Sequence, residues 1–120
     1  MDAKKDTGHS FKAYFKRATS PLVVLRLLIE RPMYGYELIQ EMQRRSSGNF
    51  TISVLYPVIY RLEEQGYVEV VQTEVVDGRA RSYYGITESG QAYLKETLED
   101  YRQISNVFED IITGEDSDGL

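Results

Sequence analysis

Apolar residues recur along this chain at two rhythms, one helical and one alternating, and the switches between them mark its elements. Leu22, Val23, Val24, Leu25, Leu27, Leu28 and Ile29 leave only Arg26 and Glu30 as a polar stripe, the pattern of a helix enclosed on most sides by protein. Ser20 before Pro21 reads as an N-cap with a favoured first-turn proline, and Pro32 as a stop, so this helix is expected over residues 21–31. Upstream, Phe11, Tyr14 and Phe15 interleave with Lys12, Lys16 and Arg17. That spacing predicts a separate short amphipathic helix, aromatic on one side and cationic on the other, after a polar, mobile start over 1–10. A second helix is expected over 36–45, with Leu38, Ile39 and Met42 inside and Glu37, Gln40, Glu41 and Arg44 outside. Arg44 and Arg45 at its end suit the carbonyl pole of the dipole as well as they suit a phosphate.

In the third helical stretch Leu55, Val58, Ile59 and Leu62 fall at i, i+3, i+4 and i+7, while Ser53, Tyr56, Tyr60 and Glu64 occupy the other side. Pro57 argues for a start at Ser53, with Thr51 and Ile52 leading in, because an earlier start would bury the proline a full turn deeper at a cost of about 3 kcal/mol. Gly66 is a natural left-handed stop after residues 53–65. The rhythm then shifts to strand-forming residues in Tyr67, Val68, Val70 and Val71, and Asp77-Gly78 is a strong hairpin signal. The return strand over 80–86 puts Arg81 and Tyr83 on one face and Ser82, Tyr84 and Ile86 on the other. Thr87 caps a last helix over 88–113, about 37 Å long. On it Leu94, Leu98, Tyr101, Phe108 and Ile112 make an apolar seam that Ile104, Val107 and Ile111 widen.

The order helix, helix, helix, hairpin, long helix is mainly α with a small β-hairpin, an α+β winged helix-turn-helix with a long C-terminal dimerisation helix. The expected divisions are a partly helical arm at 1–19, a winged helix at 20–87, the dimerisation helix at 88–113 and a disordered acidic tail at 114–120. In that architecture a helix enters a DNA groove while the hairpin touches the adjoining phosphates. Tyr56 and Tyr60, one turn apart, suit packing on deoxyribose and bonding to phosphate or base edges; ordinary packing aromatics would have the same spacing. Arg61 is equally placed to pair with Glu64 or Gln65. Arg79 and Arg81, near the turn and opposed by few acids, suit a phosphate backbone, although exposed arginines also solubilise strand edges. The seam on the last helix outruns its own small domain and calls for a second chain. Leu94, Leu98, Tyr101, Ile104, Phe108, Ile111 and Ile112 are its expected contacts, the proximal half folding back on the first helix and the distal half dimerising.

Net charge changes the picture only when resolved along the chain. The total is −5, yet residues 1–86 hold 12 Lys or Arg against 10 Asp or Glu, and residues 87–120 hold 2 against 9. Phosphate binding depends on cations within about 8 to 10 Å, not on the total, so acid confined to the last third is compatible with a polyanionic partner. With no cysteine there is no disulfide framework or thiolate metal site. The single histidine, His9, lies in the polar leader and reads as a solvated residue. Neither a signal peptide nor an 18-residue apolar run is evident, so the expected location is cytoplasmic, with no membrane and no cofactor. Apart from His9 the chain offers no imidazole or thiol, no glycine-rich phosphate loop and no acidic metal cluster placed on a predicted pocket, so an enzyme is not expected.

Tyr34-Gly35-Tyr36-Glu37-Leu38, then Leu55-Tyr56-Pro57, Arg61-Leu62-Glu63-Glu64-Gln65-Gly66-Tyr67-Val68, Gly78-Arg79, Tyr83-Tyr84 and Ile86-Thr87-Glu88-Ser89-Gly90 resemble the PadR family of bacterial transcriptional regulators. The likeness spans about residues 22–94. It departs from the family at Ser53-Val54, where Gly or Thr is often found. The resemblance implies a homodimeric, cytoplasmic repressor that binds a roughly palindromic operator and is released by a small molecule. Tyr34, Tyr36, Thr51, Ser53, Tyr56, Tyr60, Arg61, Arg79 and Arg81 are the expected DNA-binding set. It also implies a flat aromatic effector held between dimerisation helices, for which Tyr101, Ile104, Ser105 and Phe108 are the positional candidates. The competing reading is a winged helix turned protein-binding module, suggested by a pI near 4.9 and by Glu63 and Glu64 beside the proposed groove face.

Overall fold

The computed structural model describes residues 9–52 and 54–114; the expectations for the start of the chain, for Ser53 and for the tail after Gly114 fall outside them. The elements are α1 (Phe11–Glu30), α2 (Gly35–Ser46), α3 (Leu55–Glu64), β1 (Val68–Val76), β2 (Arg79–Ile86) and α4 (Glu88–Thr113). The two helices expected at the start are one, capped by Ser10, whose Oγ accepts from the Ala13 N–H, and running through Pro21. Proline there deletes one rung of the helix, but it does not set the start. Ser20 is no N-cap: it is buried, and its Oγ donates to the Lys16 carbonyl a turn back. Burial of Ser20 and of Val24, Leu25, Leu27 and Leu28 outweighs the local signal.

Val24, Leu25, Leu27 and Leu28 form the middle of the core with Leu38 and Met42 of α2, Leu55, Ile59 and Leu62 of α3, and Leu94 of α4. α3 starts later than expected. Its N-cap is Val54, which makes Pro57 the third helical residue, where the missing N–H has no intrahelical partner to lose. At the other end Gly66 adopts φ 84° and the Tyr67 N–H donates to the Leu62 carbonyl, turning the chain directly into β1.

The hairpin closes on two residues. Asp77 (φ 53°) and Gly78 (φ 78°) both take positive φ, as a two-residue turn of the primed kind requires, and this fixes the pairs Val76↔Arg79 and Glu74↔Arg81. The register slips between Val70 and Gln72, leaving Val71 as an extra residue on β1. Met33, between α1 and α2, is buried and exchanges both backbone hydrogen bonds with Tyr84, at 3.1 and 2.9 Å, which ties the wing to the helices. α4 is anchored by its first turn. The Thr87 hydroxyl accepts from the Gly90 N–H and donates to the Gly66 carbonyl, and Ser89 donates to that same carbonyl. Gly90 is required there: a Cβ would lie 2.2 Å from the Tyr67 carbonyl oxygen. From this anchor the 26-residue α4 projects outward, and the molecule measures 62 × 40 × 23 Å.

Candidate nucleic-acid interface

The start of α2, the outer face of α3 and the wing enclose a cleft of about 750 Å³. Tyr34, Tyr36, Tyr56, Tyr60, Arg79 and Arg81 all line it. Each arrives there for a local reason. Tyr56 and Tyr60 are one turn apart on α3, opposite the buried Leu55, Ile59 and Leu62, and their rings lie 5.8 Å apart. Gly35, the first residue of α2, leaves room for Tyr56: a Cβ at that position would lie 2.2 Å from the phenol oxygen. Tyr34 precedes α2, where the Glu37 carboxylate accepts its backbone N–H at 3.2 Å and fixes the entry of the chain.

The two wing arginines differ in environment. Arg79 is exposed beside the turn, with no carboxylate within 4.0 Å among the described residues. Arg81 is half-buried, its guanidinium 4.2 Å from the Tyr34 ring centre and 3.6 Å from the Glu74 carboxylate. The Tyr83 hydroxyl donates to the same carboxylate at 2.7 Å, and Tyr83 packs edge-on against Tyr34 at 5.3 Å. The hydrogen bond to Glu74 raises the Tyr83 pKa, and contact with Tyr83, followed by the fields of Tyr34 and Glu74, raises that of Arg81. The wing is therefore less free of acid than the sequence suggested: Glu74 stands directly across the ladder from Arg81. The sequence did carry that signal, since a two-residue Asp77-Gly78 turn places residues 74 and 81 opposite each other.

Thr51 and Arg61 face elsewhere. They line a second groove of about 550 Å³ on the other flank of α3, against Lys16 and Arg17 of α1. Lys16 and Arg17 were visible as a cationic stripe, but Pro21 assigned them to a separate helix and hid their closeness to α3.

Along α4, Leu94 is buried within its own chain and Leu98 is partly buried against the core. Tyr101, Ile104, Phe108, Ile111 and Ile112 are exposed and Ser105 is half-buried. Between α1 and α4 lies an apolar hollow of about 410 Å³ with Phe15, Leu22, Leu94, Leu98 and Tyr101 in its walls. Of the four candidate effector residues Tyr101 lines it, whereas Ile104, Ser105 and Phe108 lie farther along α4. No described helix is long and apolar enough to cross a membrane.

Residues 24–96 match the model of the transcriptional regulator PadR-like family. The chain belongs to that family. A transcriptional regulator of Mycobacterium tuberculosis is 34% identical over 101 residues, covering 84% of this chain and 90% of the relative. A transcriptional regulator from Clostridium thermocellum superposes with a TM-score of 0.74 at 28% identity over 81% of this chain and 96% of its own. A PadR family regulator from Eggerthella lenta gives 0.74 at 26% identity over 82% and 86%. The fold is thus the PadR-like winged helix, and the chain is a transcriptional regulator rather than an enzyme.

Proposed function

We propose that this PadR-like regulator acts in the cytoplasm as a homodimeric repressor, binding a roughly palindromic operator through α3 and the wing and leaving it when a small aromatic effector binds near Tyr101. One observation carries the DNA-binding part: Tyr34, Tyr36, Tyr56, Tyr60, Arg79 and Arg81, from the start of α2, from α3 and from β2, line a single cleft. Tyrosine offers a flat face to deoxyribose and a hydroxyl to phosphate or base edge, and arginine offers charge, which together are the groups that position a protein on duplex DNA. The six acids of described α4 stand on an element that lines no part of this cleft, which reconciles a net charge of −5 with a polyanionic partner.

The deciding experiment is titration of operator duplexes, selected from a random pool, at different salt concentrations. A dimer contacting about 6 to 10 phosphates loses about 10³ to 10⁵ in affinity between 50 and 200 mM salt. A flat profile removes the DNA-binding reading. It would favour instead a protein-binding winged helix, to which the exposed Glu63 and Glu64 at the end of α3 are suited.

A further inference from the structure

The first half of α1 lies upstream of the residues that match the family, and it has two unlike sides. One side turns Phe15, Thr19 and Leu22 toward the hollow beside α4. The other turns Ala13, Lys16, Arg17 and Ser20 toward the segment that leads into α3, across the groove that Thr51 and Arg61 also line. Small residues at 13 and 20 keep that groove open. Among the described residues its charged lining consists of Lys16, Arg17 and Arg61, with no carboxylate.

Arg26, Arg31, Arg44, Arg45 and Arg81 all hold carboxylates within 4.0 Å. Lys16 and Arg61 hold none among the described residues, and Arg17 lies 5.4 Å over the Tyr14 ring. Arg79 and Arg102 likewise have no carboxylate within 4.0 Å among the described residues. On α3, Arg61 follows Tyr60 and stands one turn beyond Pro57, so the helix carries the tyrosines of the cleft on one flank and this arginine on the other. A helix seated in a major groove, about 12 Å wide, has a phosphate strand on each side. The wing lies on one of those sides.

We infer that Lys16 and Arg61 grip the phosphate strand on the flank of α3 away from the wing. The upstream half of α1 is then a second, sequence-independent clamp. The inference rests on the DNA-binding reading and adds to it a contact surface outside the matched family region.

The test is the dependence of affinity on salt for a mixed-sequence duplex, with Arg79→Gln as the wing reference. Lys16→Gln and Arg61→Gln should each lower the slope of log affinity against log salt by about 0.9 and weaken all sequences alike, while Lys16→Arg keeps the slope of the parent. Because the chain has no cysteine, an iron chelate can also be tethered uniquely at Lys16→Cys or Arg79→Cys. The two should cut backbone on opposite sides of the groove. If Lys16→Gln keeps the parent slope while Arg79→Gln loses part of it, the α1 clamp is wrong and the DNA-binding reading stands. If the parent itself shows no salt dependence, both fall. Titration with inorganic phosphate, followed by amide resonances near Lys16, covers the remaining source of the same chemistry. Saturation that Lys16→Gln abolishes, without any change in duplex slope, would make the groove a small-anion pocket and overturn the proposal.

Discussion

Arg79 and Arg81 stand two residues apart on β2 but offer different chemistry to phosphate. Arg79 is exposed and unpaired among the described residues, so Arg79→Ala should shallow the salt slope by about one unit on any duplex. Arg81 already holds Glu74 and the Tyr34 ring, and its removal should cost less slope. Glu74→Gln is the sharper variant: it deletes an anion beside the wing while keeping a hydrogen-bond acceptor for Tyr83, and should tighten binding to every sequence and steepen the slope. Unchanged affinity in a low-salt titration would show that the wing stays clear of phosphate. Two glycines make a comparable pair. Gly35→Ala meets only the movable end of Tyr56, so the thermal midpoint should hardly change while preference among operator sequences shifts. Gly90→Ala meets the Tyr67 backbone and should destabilise by about 1 to 3 kcal/mol, read as a lowered midpoint.

At the scale of elements, α4 was fully legible, because Thr87 and the seam define it without help from the rest of the chain; it runs Glu88–Thr113 as expected. α1 was not. A Ser-Pro pair is a strong local start signal, and only tertiary packing of Ser20 and its apolar neighbours overrides it. The same packing brings α1 and α2 together at an ion-pair cluster that no sequence rhythm announces. Arg45 of α2 reaches Glu30 at the end of α1 with two hydrogen bonds, at 2.8 and 2.5 Å, and also holds Glu41. Arg45, joined by Arg26, holds the Glu30 carboxyl down to about 2 from its ordinary value near 4.5. Hydrogen bonds from Arg44 and then Arg45 lower Glu41 as well. For a carboxyl depressed in the folded state, the unfolded chain takes up the proton first on acidification. The contribution is therefore complete above about pH 4.5 and fades as pH falls toward 2. Midpoints measured over that range should fall less steeply in Glu30→Gln than in the parent. Equal slopes would show that the cluster is solvated and contributes nothing.

Across the whole molecule, the uneven charge and the overlong seam could be read from the chain alone, whereas the gathering of six candidate residues into one cleft depends on the Met33–Tyr84 bridge and on the turn geometry. The shape that results poses its own question. Ile104 and Ile111 are 64% and 75% exposed on a helix that projects beyond the core, with Phe108 and Ile112 beside them. Burial of apolar surface is favourable by roughly 25 cal/mol per Å², so a lone chain leaves that stripe unsatisfied. Leu94 is already spent on its own core, which confines the proposed interface to the distal half of α4 and whatever it meets on a second copy. Such a pairing would set two α3 helices on successive major grooves about 34 Å apart. Because both isoleucines are exposed, the double variant Ile104→Asp with Ile111→Asp should leave the monomer fold intact. It should give the mass of a single chain by light scattering, a midpoint independent of protein concentration, and a large loss of operator affinity. Ending the chain at Glu99 should have the same effect. A dimer mass that survives both changes would move the interface off α4, and with it the spacing expected between operator half-sites.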